Sequence, residues 1–586
     1  MEGVNVALGK ISTGLALATA LWSLSGCVSP GSIDDTMVAK YQKAMLDRSP
    51  QPRAGEQNLD LLRPLPEAPE LALKVVADEL TRRQAVEINL DDCIRLSLRS
   101  NLDIRSVGYD VAVSREQVIQ AAAQFDFVVF ASIQKVVTDQ QVTLSNNVDL
   151  GGNSTKVFAA EAGIKQNNIL GGQWDIKWDV SRSYTNSSIT TPNPAWQSIT
   201  AIELTQPLLR GAGPDYALAQ LHLAQLGNKA SYAQFREKVE QVVSQTEQAY
   251  WNLVQARGDL TILQGLLDET LVTLDKVEKR TELDAARNLE YKQSYSAMKS
   301  REALVIRARK TVGDAEDALA TLLSDPQLNI MHEYGIKPAT DAPVSEKLQV
   351  DRADQLVTAM RNNPTLEQVR LAIQASDIQV MVATNELLPQ LDFRGSIGPN
   401  GLAKFMGGAL DHQTSFDYIS WSAGLLFQYP LGNRLAEAKL AQTKYERFKN
   451  INDLQNNADL LAQAINESIR QIETTQQESV AQQQAADAET DHLGALDAAM
   501  EVGRQSYLVL LQLKLQAQEN RANARRAVLA ADVNERIAIA RLAQFVGTNL
   551  QQHNIKLSVE SAIDLRPTAA PVDKSDKGGN GKKAAY

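Results

Sequence analysis

The chain has little of what catalysis, nucleic-acid binding or a disulfide framework would need. Its 586 residues include only two cysteines, five histidines and 5% aromatic residues. No histidine pair has the i, i+4 spacing of a metal site, and we find no phosphate-binding glycine loop or nucleophile elbow. The net charge is -11, and no basic cluster precedes the last few residues. We therefore expect no enzyme, no metal, no cofactor and no nucleic-acid partner.

Long apolar runs are also missing after the N-terminus, so no membrane-spanning helix is expected there. Residues 1–26 have the layout of a secretory signal peptide, with Lys10 followed by the apolar stretch Ile11–Leu24. The stretch ends in Leu-Ser-Gly-Cys, which resembles the bacterial lipobox, so Cys27 is the predicted lipidation site. Val28 in place of Asp suggests the outer membrane. A plain signal peptide with a chance cysteine is the alternative.

The two ends of the mature chain are polar and show little periodicity. Residues 27–87 are rich in Pro, Asp, Arg and Gln, which predicts a lipidated N-terminal tether with weak helices. Residues 551–586 are predicted to be a C-terminal segment that runs into a disordered tail. Cys93, in an apolar run, is interpreted as a small buried hydrophobe.

The remainder of the chain is internally duplicated. Residues 92–104 align without a gap with residues 354–366, and each copy predicts a short helix, a break and a second helix. A second pair of matching segments ends a strand pattern at Pro207 and at Pro430, where a long helical pattern follows. We therefore predict a first repeat (88–326), a linker (327–349) and a second repeat (350–550), with Pro207 and Pro430 as strand-to-helix junctions.

Two proline-free stretches predict unusually long helices, at about 215–283 and 435–503. Each would measure about 100 Å at 1.5 Å per residue. In the first, leucines recur every seven residues from Leu253 to Leu274, with Ala256, Leu263, Thr270 and Val277 three positions after them. This heptad seam is typical of coiled-coil packing, and an ordinary helical bundle is the alternative.

Several segments alternate between apolar and polar residues, as a membrane-spanning strand does. The clearest is Ile419–Tyr429, whose odd positions are all apolar or aromatic. Similar alternation includes these residues: Phe125, Phe127, Val129, Ala131 and Ile133; Trp174, Ile176, Trp178 and Val180; Ile202 and Leu204; Leu391, Phe393 and Ile397. Two strands per repeat could not close a barrel, and an open edge in lipid leaves backbone groups unpaired. We therefore expect several copies to share one barrel.

These features together resemble the TolC-type outer-membrane efflux protein family over about residues 88–550. The resemblance rests on the Asn363-Pro364 helix break and its degenerate copy Asn101-Leu102, on the strand-to-helix signature at 206–213, and on the helix-turn pattern at 503–511. It implies a mainly α fold with membrane β structure. A homotrimer would share a long antiparallel coiled-coil α-helical barrel and a transmembrane β-barrel. The family pattern has four strands per protomer, but extra alternating segments near 155–165 and 172–184 leave four or six open.

The resemblance also implies a narrow periplasmic aperture near the Gly-x-x-Ser-Tyr-Leu motif. The candidate aperture residues are Glu290, Gly503, Arg504, Tyr507 and Gln512. The acidic ring common in the family is absent from the second repeat, so Glu290 alone suggests a weak cation preference. An ordinary solvated glutamate is the alternative.

The function implied is that of the outer-membrane channel component of a tripartite efflux or type I secretion system. Its partners would be two further copies, a periplasmic adaptor (membrane fusion) protein, an inner-membrane transporter and outer-membrane lipid. The alternative is a non-channel coiled-coil periplasmic adaptor or structural lipoprotein. The sequence identifies neither the substrate nor the inner-membrane pump.

Overall fold

The structure is a computed structural model. It describes residues 74–78, 80–81, 83–140, 153–186, 190–283, 288–325, 328, 335–340, 350–502, 506–555 and 557, all within one compact unit, Leu61–Tyr586. The predictions for the signal peptide, for Cys27, for most of the tether and for the tail fall outside these residues. Gly503 and Arg504 lie outside them as well. Those predictions stay predictions.

Helices make up most of the described chain. In chain order they are α1 (Leu90–Ser100), α2 (Leu102–Ala122), α3 (Pro214–Ala217), α4 (Ala219–Leu283), α5 (Asn288–Leu323), α6 (Arg352–Asn362), α7 (Pro364–Glu386), α8 (Met406–Thr414), α9 (Arg434–Val502), α10 (Tyr507–Val546) and α11 (Asn549–Gln552). No described helix combines the length and the apolar composition needed to cross a bilayer.

The strands form a small sheet and a large one. The small sheet has the order β1 (Lys74–Asp78), β2 (Arg83–Ile88) and β7 (Gly335–Pro338). The large sheet has the order β3 (Val128–Gln140), β4 (Asn153–Asn167), β5 (Gln173–Thr185), β6 (Ala195–Pro207), β8 (Gln390–Ala403) and β9 (Ile419–Gln428), with every neighbouring pair antiparallel.

The predicted helix break is present in both repeats, and one asparagine makes it in each. Asn101 and Asn363 have extended backbones and cap α2 and α7, because their Oδ1 atoms accept hydrogen bonds from the first backbone N–H groups. Their Nδ2 atoms donate to the carbonyls of Leu322 and Phe545, 2.9 and 3.0 Å away. Asn101 therefore joins the C-terminal end of α5 to the start of α2, and Asn363 joins the C-terminal end of α10 to the start of α7.

The long helices are close to those expected, at 65 residues for α4 and 69 for α9. α5 and α2 both pack along α4, and α10 and α7 both pack along α9. Ala256, Leu263, Thr270 and Val277 are buried along the whole seam, whereas the leucines of the other seam row are buried only as far as Leu260. The leucine row gradually leaves the helix interface, because a straight helix has 3.6 residues per turn whereas a heptad seam needs 3.5.

The large sheet has six strands, the higher of the two counts that the sequence left open. β8 and β9 come from the second repeat, but the first supplies four strands. Asn101 and Asn363 are equivalent residues of the two repeats before the strands, and they lie 262 positions apart. Asn228 and Asn450 are equivalent residues after the strands, and they lie 222 positions apart. The first repeat therefore holds 40 more residues between these points, and the hairpin β4–β5 occupies them.

The alternating residues predicted to share a face do so across all six strands. One row of opposed residues on this face, the apolar face, contains Val129, Ile164, Ile176, Ile202, Ile397 and Trp421. The adjacent row on the opposite, polar face contains Val128, Lys165, Asp175, Glu203, Ser396 and Ser422. Phe125 and Phe127 were included in the pattern, but they precede β3 because a 3-10 turn at Ala123–Phe125 ends the helix before them.

The small sheet differs from the tether predicted for residues 27–87. β1 and β2 pair antiparallel, and β2 pairs in parallel with β7, from the predicted linker 327–349. Arg257 of α4 holds it in place: its Nη2 lies 2.7 Å from Asp78 Oδ2, and its Nη1 lies 3.4 Å from Glu316 Oε1. Burial acts to raise the pKa of Asp78, but hydrogen bonds from Thr81 and Arg257 outweigh it and keep that pKa below its ordinary value. Sequence reasoning missed these strands because each is only four to six residues long and none has a regular alternation of apolar and polar residues.

Candidate functional site

The predicted aperture lies where three long helices have their ends. Val277 near the end of α4 and Leu511 and Leu515 near the start of α10 form a buried cluster, against which Tyr291 of α5 and Tyr507 of α10 pack. The Arg280 guanidinium lies 3.6 Å from the centre of the Tyr507 ring, within the range of a cation–π contact. Tyr507 is thus at a junction of both repeats, and sequence reasoning missed its partner Arg280.

The other two described candidates differ in environment. Glu290 is in the first turn of α5, where the helix dipole favours a carboxylate. Its Oε2 is buried, and among the described residues it has no hydrogen-bond partner. Gln512 is exposed on α10, as is Val509. No hydrogen bond found among the described residues joins Glu290 to Gln512, so the structure does not bring these candidates together through a polar contact.

A buried arginine lies further from the helix ends and joins the repeats. Arg301 of α5 is 3% exposed, and it donates to Thr270 Oγ1, to Gln518 Oε1 at 3.0 Å and to the Leu515 carbonyl at 2.5 Å. Burial lowers the pKa of its guanidinium, while the carboxylates of Glu519 and Glu269 act in the opposite direction. Because its partners belong to α4 and α10, Arg301 ties three helices together.

Two further arginines of α10 reach α4 across the same boundary. Arg521 forms an ion pair with Glu269, and Arg526 Nη2 lies 3.1 Å from Asp259 Oδ2. The sequence could have revealed the role of Arg301, because this arginine lies in a heptad row. Ser294, Arg301 and Ala308 follow one another at seven-residue intervals, and all three are buried. A charged residue in such a row needs polar partners on the facing helices.

The strand-to-helix junctions at Pro207 and Pro430 are both held to the end of α7. Pro207 is the last residue of β6, and Pro430 follows β9 by two positions. In the first junction the Gly211 N–H donates to Asn385 Oδ1 over 2.7 Å. In the second, Asn433 Nδ2 donates to the Leu387 carbonyl over 3.1 Å.

Comparison with known proteins agrees with this architecture. Residues 356–548 match the outer membrane efflux protein family. No curated protein matches the chain significantly in sequence.

Solved structures that resemble the chain are outer-membrane proteins. The Campylobacter jejuni CmeC outer membrane channel has a TM-score of 0.59 at 15% identity, over 86% of this chain and 94% of that one. The open state of the Neisseria gonorrhoeae MtrE outer membrane channel has a TM-score of 0.55 at 16% identity, over 83% and 98%. The outer membrane protein VceC of Vibrio cholerae has 0.55 at 15% identity, over 78% and 96%.

At these identities the likeness is one of fold, and the channels are matched over nearly their full length. The resemblance indicated by the sequence is therefore confirmed: residues 356–548 match the outer membrane efflux protein family, and the chain has the fold of outer-membrane efflux channels.

Proposed function

We propose that the chain is the outer-membrane channel component of a tripartite efflux or type I secretion system. Three copies form a passive exit duct, with a shared β-barrel in the outer membrane and a helical tube in the periplasm. An inner-membrane transporter delivers the cargo, and a periplasmic adaptor protein connects the two. Cys27 carries the lipid that anchors each copy, and the chain performs no catalysis.

The observation that carries this proposal is the large sheet. Its apolar face crosses all six strands, and Trp421 and Leu425 on β9 are 75% and 67% exposed. A water-soluble sheet would cover such a face, because apolar patches of this extent are costly in water. A bilayer accepts the face, provided that the backbone groups of β3 and β9 at the two edges find partners.

The long helices support the periplasmic part of the proposal. At 1.5 Å per residue α4 and α9 each extend about 100 Å, and they leave the sheet from Pro207 and Pro430 on the same side. Their far ends meet near Tyr507, Arg280 and Glu290, which we assign to the aperture. Gly503 and Arg504 belong to the same turn by sequence.

The competing function is a coiled-coil adaptor or structural lipoprotein without a channel. It would need the long helices but not a six-stranded sheet with an apolar row across every strand. The gel behaviour of the full chain, extracted in detergent from membranes washed with alkaline carbonate, separates the two, because a lipid-anchored rod would also resist the wash. The channel stays in the membrane and runs on gels as an oligomer that heating converts to monomer. A chain released by the wash, or one that migrates as a monomer before heating, would contradict the proposal.

A further inference from the structure

The hairpin β4–β5, present only in the first repeat, is built into the large sheet along its whole length. Its register with β3 runs from Val128 opposite Lys165 to Gln140 opposite Asn153, and its register with β6 runs from Gln173 opposite Thr205 to Ser183 opposite Ala195. An appended hairpin would have at least one unpaired side. This hairpin separates β3 from β6, the strands whose counterparts β8 and β9 are direct neighbours in the second repeat.

The side chains of the hairpin follow the faces of the sheet that surrounds it. Ile164 and Ile176 lie in the apolar row between Val129 and Ile202. Five charged residues of the hairpin are on the polar face: Glu161, Lys165, Asp175, Lys177 and Asp179. Lys156 and Arg182, further from the turn, are on the apolar face. Lys177 Nζ lies 2.5 Å from Glu203 Oε1 of β6, so the charges of the hairpin and of its neighbour form one surface.

The turn between β4 and β5 is held at the level where the other strands end. Gly171 has φ of +86°, and a Cβ there would lie 2.1 Å from the Gly211 carbonyl, so the turn and the β6 junction touch through their backbones. The Gly213 N–H donates to the Leu170 carbonyl over 3.1 Å. Gln206 Nε2 donates to the same carbonyl, also over 3.1 Å. The hairpin therefore spans the same height as β6.

We infer that the hairpin is part of the barrel wall, so that three copies close a barrel of eighteen strands where the family pattern implies twelve. This inference rests on the proposed function. If the hairpin stood outside the wall, β3 would have to pair with β6, and the hairpin would carry free strand edges into lipid, where each unpaired backbone group costs several kcal/mol.

A wider duct follows from the strand count. Barrel diameter rises roughly in proportion to strand number, so eighteen strands give about 1.5 times the diameter of twelve. Barrels of 16 to 18 strands enclose an aqueous channel. Carboxylates outnumber ammonium groups where the hairpin lines this channel. Cargo size is then limited at the helical ends, and the membrane segment passes bulky hydrated cargo.

The most direct test compares the full chain with a variant that lacks residues 153–185, which leaves β3 beside β6 as in the second repeat. Both are extracted from outer membranes, and the barrel diameter is measured in end-on electron-microscope averages. The full chain is expected to be about 1.5-fold wider. Equal diameters, or a full-chain barrel that resolves into twelve strands, would overturn the inference.

Cysteine pairs in the full chain test the same point without a deletion. Ile176→Cys with Ile202→Cys lies on adjacent strands and should form a disulfide within one copy of the assembled oligomer. The matched pair Val129→Cys with Ile202→Cys, on the same row but three strands apart, should not, because the distance is beyond the reach of a disulfide. The reverse result refutes the wide barrel alone. A chain that forms no oligomer refutes the proposed function and this inference together.

Discussion

Arg301 joins the two halves of the chain through a single side chain. Its guanidinium contacts α4 and α10 from a buried position on α5, and none of its hydrogen-bond partners among the described residues is a carboxylate. If Arg301 is removed, these partners lose their hydrogen-bond donor. Arg301 therefore adds its hydrogen bonds to the apolar cluster in holding the helix ends together.

We predict that Arg301→Ala loosens the helical end of the duct. Losing hydrogen bonds to a charged donor costs about 1.5–3 kcal/mol, so amide exchange near Thr270 and Leu515 should accelerate. Cells should also become sensitive to large antibiotics that the closed duct excludes. Arg309→Ala, an exposed arginine on the same helix, is the control. If both variants behave alike, Arg301 has no role in closure.

Glu290 is predicted to give the duct a weak cation preference. Rings of carboxylates set ion preference through their local field, and a trimer would carry three copies of Glu290. Reversal potentials of Glu290→Gln in planar bilayers should therefore move toward zero. Asp317→Asn, an exposed change further along α5, should leave them in place. Unchanged selectivity in Glu290→Gln would assign this residue to the solvated surface.

The C-terminal segment is expected to respond to pH through His553. A hydrogen bond over 2.9 Å to Glu247 raises the pKa of His553 despite its burial, and Asp91 contributes in the same direction. The raised pKa stabilises the docked segment fully below the ordinary value of 6.5, and the stabilisation is lost as pH rises through the raised pKa. Burial also raises the pKa of Glu240 from its ordinary value of 4.5 to about 7, so the destabilising effect of this group on the same region builds up between these two pH values.

Amide exchange of residues 549–555 should therefore rise more steeply than intrinsic exchange, first between pH 4.5 and about 7 through Glu240 and then from pH 6.5 upward through His553. His553→Gln should flatten the part of that rise above pH 6.5, and adding Glu240→Gln should remove most of the part below about pH 7. An unchanged pH profile in the double variant would show that neither group controls docking.

At the scale of elements, the paired asparagines show what the sequence could and could not predict. The helix breaks at Asn101 and Asn363 were predictable, because an asparagine cap is a local signal. Their second bonds, to Leu322 and Phe545, were not, since they cross 221 and 182 positions of the chain. The same holds for Arg301, whose seam position was visible but whose partners were not. The extra hairpin was visible as alternation, but its place inside the sheet depends on long-range pairing.

We predict a graded loss of stability at Asn363. Asn363→Ala removes the cap and the bond to the Phe545 carbonyl, for a cost of about 2–4 kcal/mol. Asn363→Ser keeps the cap and loses only the donor, so it should recover about 1 kcal/mol of that cost. The temperature at which the assembled oligomer dissociates provides the measurement. The equivalent pair at Asn101 should show the same order, and equal effects of Ala and Ser at either site would reject the capping role.

For the whole molecule, the central question is how the open sheet is completed. The apolar face was predictable, because the alternation of apolar and polar residues is visible in a single sequence. The number of strands in the sheet and the exposed edges β3 and β9 were not, because strand order is a property of the folded chain. Closure within one copy would require β3 to pair with β9, which the described sheet does not show.

Cross-linking the two edges between copies tests this account most directly. Two differently tagged forms of the full chain are expressed together, one with a cysteine at Val129, Ala131 or Ile133 of β3 and the other at Trp421, Ala423 or Leu425 of β9. Oxidation should join the two tags in at least one combination, since strand sharing brings β3 of one copy beside β9 of the next. Cysteine at Ile202 on the interior strand β6 is the control and should join nothing. Absence of any link between the tags at every combination would contradict a duct closed by shared strands.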